Sequence, residues 1–479
     1  MRKNIVLLAG ILALSRPVLG AVPQLEPKLA RGLAAIDGHA AYENCRTLAA
    51  ERFEGRLSGS PGYAAAARWA AGKFEDWRLE APAGGYLQPY ASPYTQVDKA
   101  EMSFSVAGKD MRLEAGKDFL PLLFSAPGHV SAAAVFAGWG ISAPELGYDD
   151  YAGVDVRGKF VLCFRGTPDA DDKRFQHHDE HRVRMSVARD KGALGLIYIY
   201  PDVQANPNGD YLADFMPAVI SEAAADRLLE PKKVKALELK KALQTYGVPI
   251  SFACEARIDF LVEARHFADG IGYNVAAYLQ GSDPRLRDEY VILGAHLDAC
   301  GRHLGILFPG ADDNASGSAV VMELARAFAA ARIRPRRSIL FVLFGGEEMG
   351  LLGAAHFAQH LPAPIQKISA MFNFDMEGEG DRVFAQFSQE PAALKADIER
   401  ADASVQIIDG SSFFKGVGVR SSDFAPFFLQ GIPCAAFYSN GPHLHYHSGG
   451  DTIFRINPDI LGAVCRLAFL GTWFWAERL

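Results

Sequence analysis

The sequence predicts an α/β protein: a three-layer α/β/α sandwich around a mixed, mainly parallel sheet, with a β-rich module inserted into it. Three observations carry this expectation. Apolar runs of strand length recur in the second half of the chain, at residues 290–295, 338–344, 371–374 and 434–438. Such near-continuous runs suit strands covered on both faces. Helical patterns lie between them, over residues 318–332, 351–360 and 391–400, and alternation of the two builds a layered sheet. From residue 131 to 254 the texture changes to short β-branched and aromatic runs separated by Gly, Pro and Asp turns, which reads as a separate unit.

The elements follow in order. Residues 37–77 are alanine-rich and helical, and the turn Gly59-Ser60-Pro61-Gly62 ends one helix and starts another over 63–77. In the middle region residues 133–139, 159–164 and 196–200 read as strands, and 181–191 as a helix. Asn457 followed by Pro458 is a cap and first-turn proline for the last helix. Asp459 and Arg466 interrupt that apolar run, so it reads as a helix with a buried face. At the other end, Arg2 and Lys3 precede the apolar residues 5–14, and Val18 and Gly20 stand before Ala21. That order resembles a cleaved export signal over residues 1–20, since the run falls short of the ~20 apolar residues needed to cross a bilayer. The organisation expected is therefore a signal at 1–20, the first part of the main domain at 27–130, the insert at 131–256 and the second part of the main domain at 257–479. The protein is expected outside the cytoplasm, in a bacterial periplasm or beyond, with no stable membrane span after cleavage.

At 479 residues the chain exceeds one ordinary domain. A net charge of -7 argues against nucleic acid, which calls for a basic surface. The six cysteines include no close Cys-x-x-Cys pair. Export permits disulfides, and free buried thiols are the plainer expectation.

The chemistry gathers in the second half. His296, Glu347, Glu348 and Asp375 each follow an apolar strand by a few residues, and ligands collect beyond the carboxyl ends of strands in open α/β sheets. His296 offers an imidazole nitrogen, and Asp298 can take the hydrogen bond of the other ring nitrogen, fixing the tautomer. Asp313 precedes the helix at 318, and its two carboxylate oxygens can bridge two metals. Glu347 and Glu348 are adjacent carboxylates; a metal on one leaves the other free as general base. His443, His445 and His447 lie close together, and one of them is expected to bind.

Six segments complete the pattern. They are Gly294-Ala295-His296-Leu297-Asp298, Gly310 to Gly317, Glu347 to Gly353, Asn373-Phe374-Asp375-Met376, Ser422-Asp423 with Gly431-Ile432-Pro433, and Tyr446-His447 with Asp451-Thr452. Together they strongly resemble the co-catalytic di-zinc exopeptidases that include bacterial secreted leucyl aminopeptidases and glutamate carboxypeptidase II. Phe53-Glu54-Gly55-Arg56 looks like that family's N-terminal entry, and residues 138–166 look like its inserted protease-associated domain. The resemblance implies two Zn²⁺ per chain, with Asp313 bridging, His296 and Asp375 on one ion, and Glu348 and His447 on the other. It implies Glu347 as general base, Asp298 orienting His296, Tyr446 steadying the oxyanion, and a metal-bridging water as nucleophile. Peptides are the implied substrates and aminopeptidase the implied activity. A carboxypeptidase or dipeptidase on the same site is the alternative. A single-zinc glutaminyl cyclase and an inactive binding homologue, as transferrin receptor resembles, fit less well with a full ligand set.

The chain departs from the pattern around the first motif. Leu297, Ala299 and Cys300 stand where many relatives have an aromatic and another histidine, and the loop over 302–309 is unusually apolar. Residues 304–308 are expected to line the entrance and favour apolar N-terminal residues, unless Arg302, Arg337 or Arg420 reaches the pocket. The insert is expected to act as a lid. Oligomeric state is not legible.

Overall fold

The structure, a computed structural model, describes residues 26–415 and 421–479. The export segment read at 1–20 lies outside the described residues. Four parallel strands, Ser338–Phe344, Glu289–His296, Lys367–Phe374 and Cys434–Ser439, form the centre of an eight-stranded sheet. They are buried almost throughout, which is why they read as unbroken apolar runs rather than alternating ones. Antiparallel neighbours flank them: Ile271–Leu279 and Leu87–Ala91 on one side, Val383–Phe387 on the other. Ile408–Phe413 completes that edge in parallel with Val383–Phe387.

Helices cover both faces. On one, Gly38–Leu48, Pro61–Asp76, Gly317–Ala331 and Pro458–Glu477 bury their apolar sides in the largest core. On the other, Leu352–Gln359 and Ala425–Leu429 pack through Ala354, Phe357 and Phe427. The mixed α/β architecture thus follows the expectation. Asn457 caps the last helix by accepting from the Asp459 amide. That helix is long and apolar enough to cross a membrane, but 83% of its apolar window is buried inside the protein. All six cysteines are buried and free.

A second eight-stranded sheet runs Lys109–Arg112, Tyr94–Val106, Ser251–Phe267, Gly128–Ala137, Phe160–Cys163, Gly195–Tyr200, Ala218–Ser221 and Phe119–Pro121. It differs from the unit read at 131–256, because strands from residue 94 onward belong to it. Its longest ladder pairs Tyr94–Val106 with Ser251–Phe267. The two crossings back to the first sheet lie side by side: Ala91 pairs with Ile271, and the Ser92 amide donates to the Gly270 carbonyl.

That geometry gives a prediction. Deleting 131–256 keeps the ladder of Tyr94–Val106 with residues 257–267 but removes the strands beyond it, Phe160–Cys163, Gly195–Tyr200 and Ala218–Ser221 with most of Gly128–Ala137. Residues 257–259 then lose their partners at 131–133 and a new edge is exposed, so aggregation is expected. Deleting 93–269 and closing the ends with a short glycine-containing turn leaves the first sheet paired, and a cooperative unfolding transition is expected. Circular dichroism and size exclusion of the two deletions distinguish the outcomes.

Candidate metal centre

The ends of three central strands bring the acidic and imidazole groups together. His296 closes the strand Glu289–His296, Asp375 follows Lys367–Phe374 directly, and Glu347 and Glu348 follow Ser338–Phe344 after two glycines. Asp313 comes from the irregular turn Ala311–Ser316 that leads into the helix Gly317–Ala331. Gly310 starts that turn with φ 55°, and a Cβ there would lie 2.3 Å from the Asp313 carbonyl oxygen. Only glycine enters the turn without strain.

Asp313 divides its two oxygens between two histidines. Its Oδ1 lies 3.3 Å from His296 Nε2, and its Oδ2 lies 3.2 Å from His447 Nε2. Asp375 Oδ1 is 3.3 Å from the same His296 nitrogen, and Glu348 Oε2 is 2.7 Å from that of His447. A tetrahedral ion with ligand bonds of ~2.0–2.1 Å separates its ligand atoms by about 3.3 Å. The contacts around His296 and Asp313 have that spacing. The buried His447 Nε2 makes no hydrogen bond despite its near neighbours, so its lone pair is turned towards the space between them. The donor set fits two divalent ions sharing one carboxylate.

Each imidazole is held from behind by a main-chain carbonyl. His296 Nδ1 faces the Asp298 carbonyl at 3.3 Å, and His447 Nδ1 faces the Ala205 carbonyl at 3.0 Å. A proton on Nδ1 leaves Nε2 as the free donor of an electron pair. Asp298 was expected to orient His296 through its carboxylate. That carboxylate is 3.7 Å away and instead accepts the backbone amides of Glu347 and Glu348 at 3.2 and 3.3 Å. Asp298 therefore touches both halves of the site, its carbonyl on the histidine and its carboxylate on the glutamate turn.

Of the three clustered histidines only His447 reaches the centre. His443 Nδ1 bonds Asp312 Oδ2 at 2.6 Å, away from the ligand atoms. Tyr446 stacks on His447, ring centroids 3.8 Å apart, and lines the cleft with Glu347. Three supporting residues carried no assigned role in the sequence. Ser422 donates to Asp375 Oδ2 at 2.6 Å. Asp451 accepts the amides of Asp312 and Asp313 at 2.8 and 3.0 Å. Arg56 holds the Pro309 and Gly310 carbonyls at 2.8 Å each. The first two sit inside motifs already visible, and Arg56 inside the N-terminal one; the pairing partners were not.

The buried acidic and imidazole groups of the centre shift one another's protonation. Burial, only partly offset by His296, pushes Glu347 well above the usual carboxylate range. Asp423 is raised likewise by burial. Burial disfavours the charged forms of His296 and His447, yet Asp375 and Glu347 raise the first, and Glu348 and Asp313 the second, well above ordinary histidine. Asp313, although buried, is held low by the two histidines. The raised groups all keep protons in the native state that the unfolded chain releases, so stability falls with rising pH, from about 4 for Glu347 and Asp423 and additionally from about 6.5 for the two histidines. Asp313 works in the opposite sense, but its contribution is already complete above pH ~4. The chelated protein is therefore expected to lose thermal stability from pH 6.5 to 9, by about 1.4 kcal/mol per pH unit for each proton of difference. Zinc should flatten the slope, because cations replace those protons. Melting curves with and without chelator check this.

A cleft of about 1060 Å³ opens over the centre. Its wall is polar, with Arg165, Arg174, Arg182 and Gln204 facing Glu347 and Tyr446. The apolar loop does not line it. Residues Gly301–His303 and Ile306–Phe308 form a small hairpin, and Leu304, Ile306 and Phe308 pack into the core of the second sheet. Their apolar character reflects that burial, so the expected apolar entrance is corrected. Arg302 pairs with Glu51 and Glu54, and Arg337 with Glu289. Arg420 lies outside the described residues.

Residues 274–470 match the model of Peptidase family M28. Leupeptin-inactivating enzyme 1 of Streptomyces exfoliatus is 30% identical over 219 residues, which are 40% of this chain and 45% of that protein. An aminopeptidase of Pseudomonas aeruginosa is 31% identical over 230 residues, 42% of this chain and 41% of the relative. The matched stretch thus spans less than half of these two proteins. A peptidase M28 precursor from Shewanella amazonensis superposes with a TM-score of 0.70 at 20% identity, over 94% of this chain and 96% of that one. This last likeness concerns the fold.

Proposed function

We propose that this chain, whose residues 274–470 match the model of Peptidase family M28, is a zinc-dependent exopeptidase of that family that removes N-terminal residues from peptides. The observation that carries the reading is Asp313, with one oxygen towards His296 and the other towards His447. In it, His296, Asp313 and Asp375 would hold one zinc ion, and Asp313, Glu348 and His447 the other. Bound there, the ions polarise the scissile carbonyl and make water acidic enough to attack near neutral pH. Glu347 accepts a proton from the attacking water and passes it to the leaving amine as the C–N bond breaks. The Tyr446 hydroxyl donates to the developing oxyanion. Asp298 keeps Glu347 and Glu348 in register through their amides. The relatives named aminopeptidase support the choice of terminus. Export through residues 1–20, and a protease-associated role for the second sheet as a lid, belong to the same reading.

A second reading has its own observation. Arg165, Arg174 and Arg182 face the cleft, and guanidinium groups suit a substrate carboxylate. That favours a carboxypeptidase or dipeptidase on the same centre. Leucine p-nitroanilide, a free dipeptide and an N-acetylated dipeptide separate the two. Aminopeptidase action is expected to cleave the first two and spare the blocked peptide. Release of the C-terminal residue from the N-acetylated dipeptide, without p-nitroaniline production, would overturn the choice of terminus.

A further inference from the structure

We propose that Cys300 is a protein ligand of the ion shared by Glu348 and His447, giving that side of the centre a thiolate donor. The inference rests on the two-ion reading above and goes beyond its five ligands. Cys300 is 2% exposed. Its Sγ lies 3.9 Å from Glu348 Oε1, and the ligating atoms of Cys300, Glu348 and His447 all fall within 4.8 Å of one another. A tetrahedral ion with a Zn–S bond of ~2.3 Å and a Zn–O bond of ~2.0 Å sets sulfur and oxygen about 3.5 Å apart, a small closing movement from the observed separation.

Two independent features point into the same space. A cavity of about 10 Å³ is lined by Cys300, Asp313, Glu348 and His447, close to the room of a single small particle. The buried His447 Nε2 has no hydrogen bond although it borders that cavity. The other ring nitrogen is committed to Ala205, so Nε2 is the atom left to meet an ion. The Cys300 carbonyl is engaged by His303 Nε2 at 2.9 Å, which ties down the turn that carries the thiol.

Ligation is balanced in simple terms. The S–H bond breaks, its proton leaves to solvent, and the sulfur electron pair forms the bond to the ion. The consequence is a division of labour. Cys300, Asp313, Glu348 and His447 give that ion four protein donors, against the three that His296, Asp313 and Asp375 give the other. The ion beside Cys300 is then the tightly held one, and the ion beside His296 the more exchangeable.

Cobalt substitution tests this without reference to turnover. The protein is stripped, loaded with two equivalents of Co²⁺, and its near-ultraviolet spectrum recorded beside metal analysis. A thiolate-to-cobalt charge-transfer band is expected in the wild type and absent in Cys300→Ser, while the visible cobalt bands of the histidine and carboxylate ligands persist. Cys300→Ser should also release one ion to a competing chelator about 10–100-fold more readily. Two bound cobalt ions with no charge-transfer band in the wild type would overturn the assignment of Cys300 and leave the two-ion reading standing. Failure to bind cobalt at all would overturn both. The wild-type spectrum decides even if the variant folds poorly, and a band surviving in a folded Cys300→Ser would place the thiolate elsewhere.

Discussion

Replacing Glu347 by glutamine is expected to lower kcat by ~10²-fold or more while both ions stay bound. The exchange keeps shape and hydrogen-bonding reach and removes only the basicity. Glu347 lines the cleft, where an attacking water must give up its proton. Its neighbour Glu348 is engaged instead by His447, 2.7 Å from Nε2. Glu348→Gln should therefore lose metal first and activity as a consequence. Because both backbone amides are clamped by Asp298, neither substitution should disturb the turn itself. Metal content measured beside kcat is decisive: if Glu347→Gln sheds an ion and Glu348→Gln keeps both, base and ligand must be exchanged.

Arg56→Met is expected to cost on the order of 3–5 kcal/mol of stability. Arg56 is fully buried and spans four carbonyls, those of Leu48, Leu297, Pro309 and Gly310, at 2.7 to 2.8 Å. It thereby fastens the N-terminal turn to the two loops that carry His296 and Asp313. Burial lowers its pKa, against the opposing pull of Asp451, Asp298 and Asp313, and the fork still has no other way to satisfy its donors. Methionine fills similar volume and takes the donor from the Leu48, Leu297 and Pro309 carbonyls, while the Gly310 carbonyl keeps the Ala315 amide. Lysine should recover only part of the loss, since one ammonium cannot replace a planar fork. Denaturant midpoints of the three proteins check the order. The neighbouring Gly55 sits at φ 68°, where a Cβ would approach the Gly301 carbonyl oxygen to 2.3 Å, so the same turn tolerates little change.

Much of this architecture was legible because burial on both faces leaves a plain mark. Residues 338–344 read as a strand and form one with the same ends. Tyr94–Val106 was missed for the opposite reason. Asp98, Lys99 and Glu101 interrupt its alternation, and its partner strand lies some 150 residues on, beyond any local window. The site divides in the same way. Motif residues at strand ends could be named, since strand ends are where an α/β sheet gathers ligands. Which atom of Asp298 does what depends on the path of the backbone, and no spacing records that. The loop over 304–308 taught a further lesson: its apolar residues signalled contact, and only the fold says with what.

His447 and Ala205 exchange two hydrogen bonds, imidazole Nδ1 to carbonyl at 3.0 Å and amide to carbonyl at 2.9 Å. One partner belongs to the metal centre and the other to the second sheet's side of the molecule. Reciprocity follows from that clasp: whatever free energy the seating of the second sheet lends to metal affinity, metal binding must return to the seating. An ion bound at His447 would then act as mortar between two halves of the protein. A stripped protein should show its first loosening in backbone amide exchange along residues 203–206, far in sequence from every ligand.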